Sequence, residues 1–333
     1  MKAGISAIAH FLPDEIRSSE ELESLINANS TFSVSKGTIE QITGIKTRRV
    51  ASKTTYNSTL AAAAGKKLLK DYGIDPKNID LLIFAATGQD ILEPATSHII
   101  QAEIGTTCPV MDITNACNSF INALEVANSF IKTGDYRSIL IVTGEVPSKS
   151  AKFKLRDRAD FKNSFPGFSF GDAGTAVLVD AACKVAAIED MSFFADSTDW
   201  DVAMLPGGGS RFLDMPDSMF FVGDGAKLAE PFLTHAPALF KDFLKKNNLH
   251  VEDIDRFFIH QVALPYLKKL LDLAGIDERK IEITIVDYGN VAAATLPLGI
   301  SLSLKSGAIK KGQRGICIGL AGGVSIGFAL LQF

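Results

Sequence analysis

Two stretches of this chain carry the same succession of apolar and polar positions. From Leu60 to Tyr72 apolar residues recur at helical spacing; a polar break follows, then the short apolar run Ile79-Asp80-Leu-Leu-Ile-Phe84. From Ala238 to Asn248 the helical spacing returns, again with a polar break and then Ile254-Asp255-Arg-Phe-Phe-Ile259. Short runs rich in β-branched and aromatic residues suit buried strands. The likeness continues downstream. A helical pattern after Cys117 ends at Thr133-Gly134 and one after Asn290 ends at Ser306-Gly307, each glycine 17 positions on. Both lead to apolar runs, Ser138–Thr143 and Gly315–Gly319. The pattern predicts one α/β unit used twice, with Cys117 and Asn290 at equivalent positions, each opening a helix. His260 ends the strand that corresponds to Ile79–Phe84. Strand C-terminal ends and helix starts are where α/β sheets place ligands, so the duplication brings these three residues toward one axis.

Composition narrows the class. The chain has 333 residues, 47% of them hydrophobic, enough for one large or two ordinary domains. A net charge of -4 argues against nucleic acid as a partner. Four cysteines without C-x-x-C or zinc spacing read as free thiols of a reducing cytoplasm, and no metal motif surrounds the five histidines. Tyr288–Leu304 and Gly315–Phe333 are uncharged, but Pro297 interrupts the first and five glycines the second. They read as a buried helix and buried strands rather than membrane spans. The N-terminus lacks the apolar length of a signal peptide.

Residues 148–221 fall outside the repeat. Their basic run (Lys149, Lys152, Lys154, Arg156, Arg158) reads as a solvated face, with a docking patch for an acidic carrier protein as the alternative. Leu205-Pro-Gly-Gly-Gly209 lacks the Lys-Ser/Thr of a phosphate loop and reads as a turn.

The chemistry centres on Cys117, in Asp112-Ile-Thr-Asn-Ala-Cys117. A thiol at a helix N-terminus feels the positive end of the helix dipole, which favours thiolate. One cysteine with a distant His260 and a distant Asn290 outlines a thiol acyl-transfer site.

These residues carry a resemblance. Thr43-Gly-Ile45 with Arg48, Asn115-Ala-Cys117, Phe170-Gly-Asp-Ala-Gly174, His260-Gln261, Tyr288-Gly-Asn290 and Gly322-Gly323 make the chain similar to the thiolase superfamily, and within it to ketoacyl-acyl-carrier-protein synthase III. The resemblance implies two halves, 1–180 and 181–333, each with a five-stranded mixed sheet, stacked with helices into a five-layer αβαβα sandwich. It implies a homodimer in the cytoplasm, with no bound cofactor and with acyl-CoA or acyl carrier protein supplying substrates. Cys117 would hold the acyl group, the backbone N–H groups of Cys117 and Gly322 would form an oxyanion hole, and His260 and Asn290 would donate hydrogen bonds to the second thioester in a Claisen condensation.

Some positions depart from the fatty-acid-initiating enzymes. Thr38 and Ile42 stand where an adenine-clamping Trp and Arg are found, and Pro265 where a carrier-docking Arg is found. Glu93, in Glu93-Pro94, is similar to the head-to-head condensing thiolases of olefin biosynthesis, where a glutamate is the general base. A malonyl donor makes its carbanion by losing CO2, whereas a plain acyl donor needs a base. Phe120, Phe220 and Phe221 are expected to line the acyl pocket. Two other readings are an acyltransferase acting on an amine or hydroxyl, and an inactive synthase partner subunit.

Overall fold

The structure is a computed structural model describing residues 2–213 and 215–333. The chain runs β1 (Gly4–Phe11), β2 (Ile16–Ser18), α1 (Ser19–Asn29), α2 (Thr38–Thr43), β3 (Thr47–Arg49), α3 (Asn57–Tyr72), β4 (Leu81–Ala85), α4 (Thr96–Ile104), β5 (Val110–Ile113), α5 (Ser119–Thr133), β6 (Ser138–Glu145), α6 (Arg158–Ser164) and β7 (Ala173–Asp180). It continues β8 (Ala186–Ala195), β9 (Ala203–Met204), β10 (Val222–Gly223), α7 (Gly225–Lys246), β11 (Arg256–Ile259), α8 (Leu264–Ala274), α9 (Ile285–Tyr288), α10 (Thr295–Ser306), β12 (Arg314–Ala321) and β13 (Ser325–Gln332).

The repeated sequence pattern is a repeated topology. One set of strands lies in the order β5-β4-β6-β7-β1, the other in the order β11-β12-β13-β8. In both, a parallel pair (β4 with β6, β11 with β12) is followed by antiparallel strands. The helices after Cys117 and Asn290 both stop at a left-handed glycine, Gly134 and Gly307, as their spacing predicts.

Two expectations are corrected. Among the described residues, the second half contributes four strands to the main sheet rather than five. Where β5 has its counterpart, only Ile281 forms a bridge to Phe257. The Gln261 side chain takes the place of the missing ladder, donating to Glu282 O at 2.7 Å and accepting the N–H groups of Thr284 and Ile285 at 3.0 Å each. The two sets of strands also join into a single nine-stranded sheet through a two-residue seam, Gly4–Ala187 and Ile5–Ala186. A Cβ on Gly4 would lie 2.2 Å from the carbonyl oxygen of Ala186, so this close approach needs glycine.

Five layers result. Leu68 of α3 and Ile100 of α4 pack on Leu82 and Val142, covering the outer face of the first set. Leu124 of α5 and Ile300 of α10 fill the middle layer, between Ile83 and Ile141 on one side and Cys317 and Ala329 on the other. Phe240 of α7 and Leu267 of α8 cover Phe257 and Phe328. Each of these Val, Leu, Ile and Phe side chains contributes about 1.5–3 kcal/mol by leaving water, and the middle helices bury both of their faces. Tyr288–Leu304 and Gly315–Phe333 are the buried helix and strands expected, and no helix among the described residues is long and apolar enough to cross a membrane.

The basic run is not simply a solvated face. Lys152 is buried and pairs with Asp160 at 3.1 Å and Asp217 at 3.0 Å. The glycine triplet forms a turn, as expected.

Candidate active site

Cys117 sits in a tight bend between β5 and α5. Ala116, just before it, adopts φ +44°, a left-handed conformation that alanine rarely takes. The bend is held locally. The Ser119 hydroxyl accepts from Asn115 N at 2.9 Å and donates to Ala116 O at 2.6 Å, with Ala86 O at 3.0 Å. Asn118, the N-cap of α5, reaches into the other half and donates to Ser325 O at 3.0 Å and Ser325 Oγ at 2.8 Å. Gly319 makes room for it, since a Cβ there would lie 2.2 Å from Asn118 Oδ1. The Cys117 bend is thereby tied to the β12–β13 turn that carries Gly322.

Asn290 is positioned by the Phe170-Gly-Asp-Ala-Gly174 stretch. Its N–H donates to Ser169 O at 2.8 Å, and its carbonyl accepts Gly171 N–H at 3.1 Å. Its side-chain Oδ1 accepts Ala292 N–H at 3.0 Å. Asn290 does not itself open the helix, because a 3-10 turn (Ala292–Ala294) intervenes before α10. His260 follows β11 directly, with its N–H on Ile318 O at 2.9 Å. Its Nδ1 lies 3.3 Å from the Thr295 hydroxyl, which donates to Ala292 O at 2.9 Å.

Cys117, His260, Asn290 and Gly322 line one cavity of about 1140 Å³. Its walls are mainly apolar, with Phe170, Phe221, Phe232, Leu267 and Leu270 among them. Solvent-exposed lining residues, among them Ile42, Arg158, Lys162 and Trp200, mark where it opens. Phe221 is the one aromatic of the three expected that reaches the cavity; it stacks edge-on against Phe170. Phe120 faces the middle layer and is part of the core, and Phe220 lies outside the lining. Glu93 is exposed on the loop between β4 and α4 and does not reach the cavity of its own chain.

Electrostatics depart from the expectation of a resting thiolate. Burial pushes the Cys117 thiol up to about 12, with the nearby Glu145 carboxyl adding to the effect. Burial outweighs the dipole of α5, so the resting group is a thiol. Burial alone lowers His260 to about 4, leaving a neutral imidazole. Glu145 was not among the candidates. It ends β6, lines the cavity and accepts from Thr87 N at 2.8 Å, Thr87 Oγ1 at 2.5 Å and Ala293 N at 3.3 Å. Burial raises it to about 8 against those hydrogen bonds. A lone carboxylate closing an apolar strand was the available signal.

A half-buried thiol in a strained bend lines one apolar cavity with a neutral imidazole and an amide, at the junction of the two α/β halves of a thiolase fold. Comparison with known proteins supports the class. Residues 111–198 match the family 3-Oxoacyl-[acyl-carrier-protein (ACP)] synthase III, and residues 244–333 match its C-terminal family. Beta-ketoacyl-[acyl-carrier-protein] synthase III of Rickettsia massiliae is 30% identical over the full length of both chains, and that of Rickettsia rickettsii 29%. Among solved structures, Xanthomonas campestris OleA superposes with a TM-score of 0.90 at 22% identity, covering 100% of this chain and 98% of that one. An OleA structure with bound lauric acid and lauroyl-CoA gives the same TM-score and identity, covering 100% and 99%. The chain belongs to the ketoacyl-acyl-carrier-protein synthase III family and is an acyl-transferring condensing enzyme.

Proposed function

We propose that this protein loads an acyl group from a CoA or carrier-protein thioester onto Cys117 and condenses it with a second thioester by a Claisen reaction in lipid biosynthesis. The observation that carries the reading is the convergence of Cys117, His260, Asn290 and Gly322 on one largely apolar cavity. The Gly322 and Cys117 N–H groups serve as the oxyanion hole, and the absence of a Cβ at 322 lets the backbone approach the substrate. Asn290 stabilises the enolate of the second substrate. The working form is a cytoplasmic homodimer. In support, β5 is an edge strand that pairs, among the described strands, with β4 alone, and Ile91 and Leu92 are exposed beside Glu93.

The test is the intact mass of the protein after incubation with acyl-CoA. One acyl mass is expected, and Cys117→Ser should lose nearly all of it; labelling at another cysteine would reject the assignment. Offering the loaded protein a malonyl thioester, an acyl thioester and an alcohol in parallel separates condensation from transfer to a hydroxyl, and product from any of them removes the inactive-partner reading.

A further inference from the structure

We infer that Glu145 is a positioning residue: from the first half of the fold it caps the helix start beside Asn290 in the second half, and so holds the Asn290 amide with its N–H groups free for a ligand. The inference rests on the condensing reading for its kinetic consequence, while the placement itself is a hydrogen-bond argument.

A helix start leaves its first backbone N–H groups without partners inside the helix. The turn after Asn290 has two such groups, those of Ala292 and Ala293, because Ala294 N–H already closes on Val291 O at 3.0 Å. Each is met by one side-chain oxygen. Ala292 N–H donates to Asn290 Oδ1 at 3.0 Å, and Ala293 N–H donates to Glu145 Oε1 at 3.3 Å. Ala292 adopts φ +48°, and successive N–H groups in such a bend form a concavity for oxygen acceptors. Asn290, Glu145 and both alanines are buried, so water does not replace a lost acceptor.

The carboxyl is held firmly on its own side. Glu145 Oε1 also accepts Thr87 N–H at 2.8 Å, and Oε2 accepts Thr87 Oγ1 at 2.5 Å. The next residue, Val146, donates its N–H to Asn57 Oδ1 at 3.0 Å. Gly144 approaches α3 so closely that a Cβ there would lie 1.9 Å from Asn57 O. Glu145 therefore joins the end of β4, the end of β6 and the turn after Asn290. Oε1 serves both N–H groups whether or not Oε2 carries a proton.

Without that oxygen, Ala293 N–H is a buried donor with no acceptor, one residue from the N–H that holds Asn290. Asn290 Oδ1 is then shared between two donors, and the amide turns with it. Cys117 stays in place, because its bend is held separately by Ser119 and Asn118. The Glu145 carboxyl also helps to push the Cys117 thiol upward, so its removal does not hinder loading.

The test separates the two half-reactions. Glu145→Leu keeps the bulk of the side chain and removes both oxygens, whereas Glu145→Gln keeps an oxygen where Oε1 stands. Loading is read as the acyl mass gained by Cys117 from acyl-CoA, and condensation as product released when the loaded protein meets malonyl-CoA or acyl-CoA. Glu145→Leu should load at close to the wild-type rate and condense about 10–100-fold more slowly, the scale of a small misplacement of a reacting group. Glu145→Gln should restore condensation, which a role for the carboxylate charge does not allow. Thr87→Val frees one oxygen of the carboxyl without removing it. It should show the same split to a smaller extent, and it carries the test if Glu145→Leu does not fold. The side-chain amide signals of Asn290 in a 1H–15N spectrum, assigned by their loss in Asn290→Asp, should move in Glu145→Leu and Thr87→Val and stay near their wild-type positions in Glu145→Gln. Unmoved Asn290 signals in Glu145→Leu, wild-type condensation by that variant, or equal slowing of loading and condensation would overturn the inference. A wild-type protein that takes up no acyl group, with the Asn290 signals moving as expected, would instead overturn the acyl-transfer reading.

Discussion

Three ionisable side chains line the cavity, His260 and Glu145 buried and Cys117 half-buried, and desolvation drives all of them toward their neutral forms: Cys117 as thiol, His260 as imidazole, Glu145 as acid. For Glu145 this has a measurable consequence. Its folded pKa of about 8 lies above its ordinary value of 4.5, so between these the folded state holds a proton that the unfolded state has released. Stability therefore falls as pH rises through that window, by on the order of 1.4 kcal/mol per unit at most, and levels off above it. Glu145→Gln keeps an acceptor for Thr87 but cannot ionise. Its urea midpoint should fall less between pH 5 and 8 than that of the wild type, and parallel profiles would show that Glu145 is ionised in the fold. The sequence made Cys117, His260 and Asn290 legible because their surrounding residues are distinctive and their spacing repeats. Glu145 was hidden because a strand reading that stops at Thr143 leaves it looking like a solvated turn residue. Phe120 failed in the reverse direction: its place on α5 was correct, but its side chain points into the middle layer.

Among the elements, α5 depends on how the chain enters it. The left-handed Ala116 turns the backbone so that Cys117 precedes the helix rather than continuing β5. Valine at that position would meet its β-branch in a conformation such residues avoid. Ala116→Val should lose about 1–3 kcal/mol of stability and load Cys117 slowly, whereas Ala116→Gly should stay within about 1 kcal/mol of wild type. Chemical denaturation and the loading rate check both; a valine variant as stable and active as wild type would show that the bend relaxes without strain. The duplicated elements were legible because helix lengths and glycine stops are local features. The missing fifth strand was not, because it depends on a tertiary substitution. Gln261 satisfies the backbone of residues 282–285 from a distant part of the chain, and no local pattern announces that.

For the molecule as a whole, the placement of Glu93 bears on the proposed dimer. It is exposed and outside the cavity of its own chain, on a loop that also exposes Ile91 and Leu92. If the proposed homodimer carries this loop to the partner's cavity, each active site takes its nucleophile from one protomer and its base from the other. A twofold dimer then allows complementation. Cys117→Ser homodimers lack the thiol, and Glu93→Gln homodimers load an acyl group but lack the base. Mixed by unfolding and refolding together, the two should form hybrids in which one site combines an intact Cys117 with the partner's intact Glu93. Random pairing gives about a quarter of wild-type turnover with a plain acyl donor. A malonyl donor, which generates its own carbanion, should support turnover by the Glu93→Gln homodimer without mixing. No recovery on mixing, with Glu93→Gln inactive toward acyl donors, would place Glu93 in its own protomer's site. Wild-type turnover of Glu93→Gln with both donors would remove Glu93 from the chemistry and leave the decarboxylative reaction.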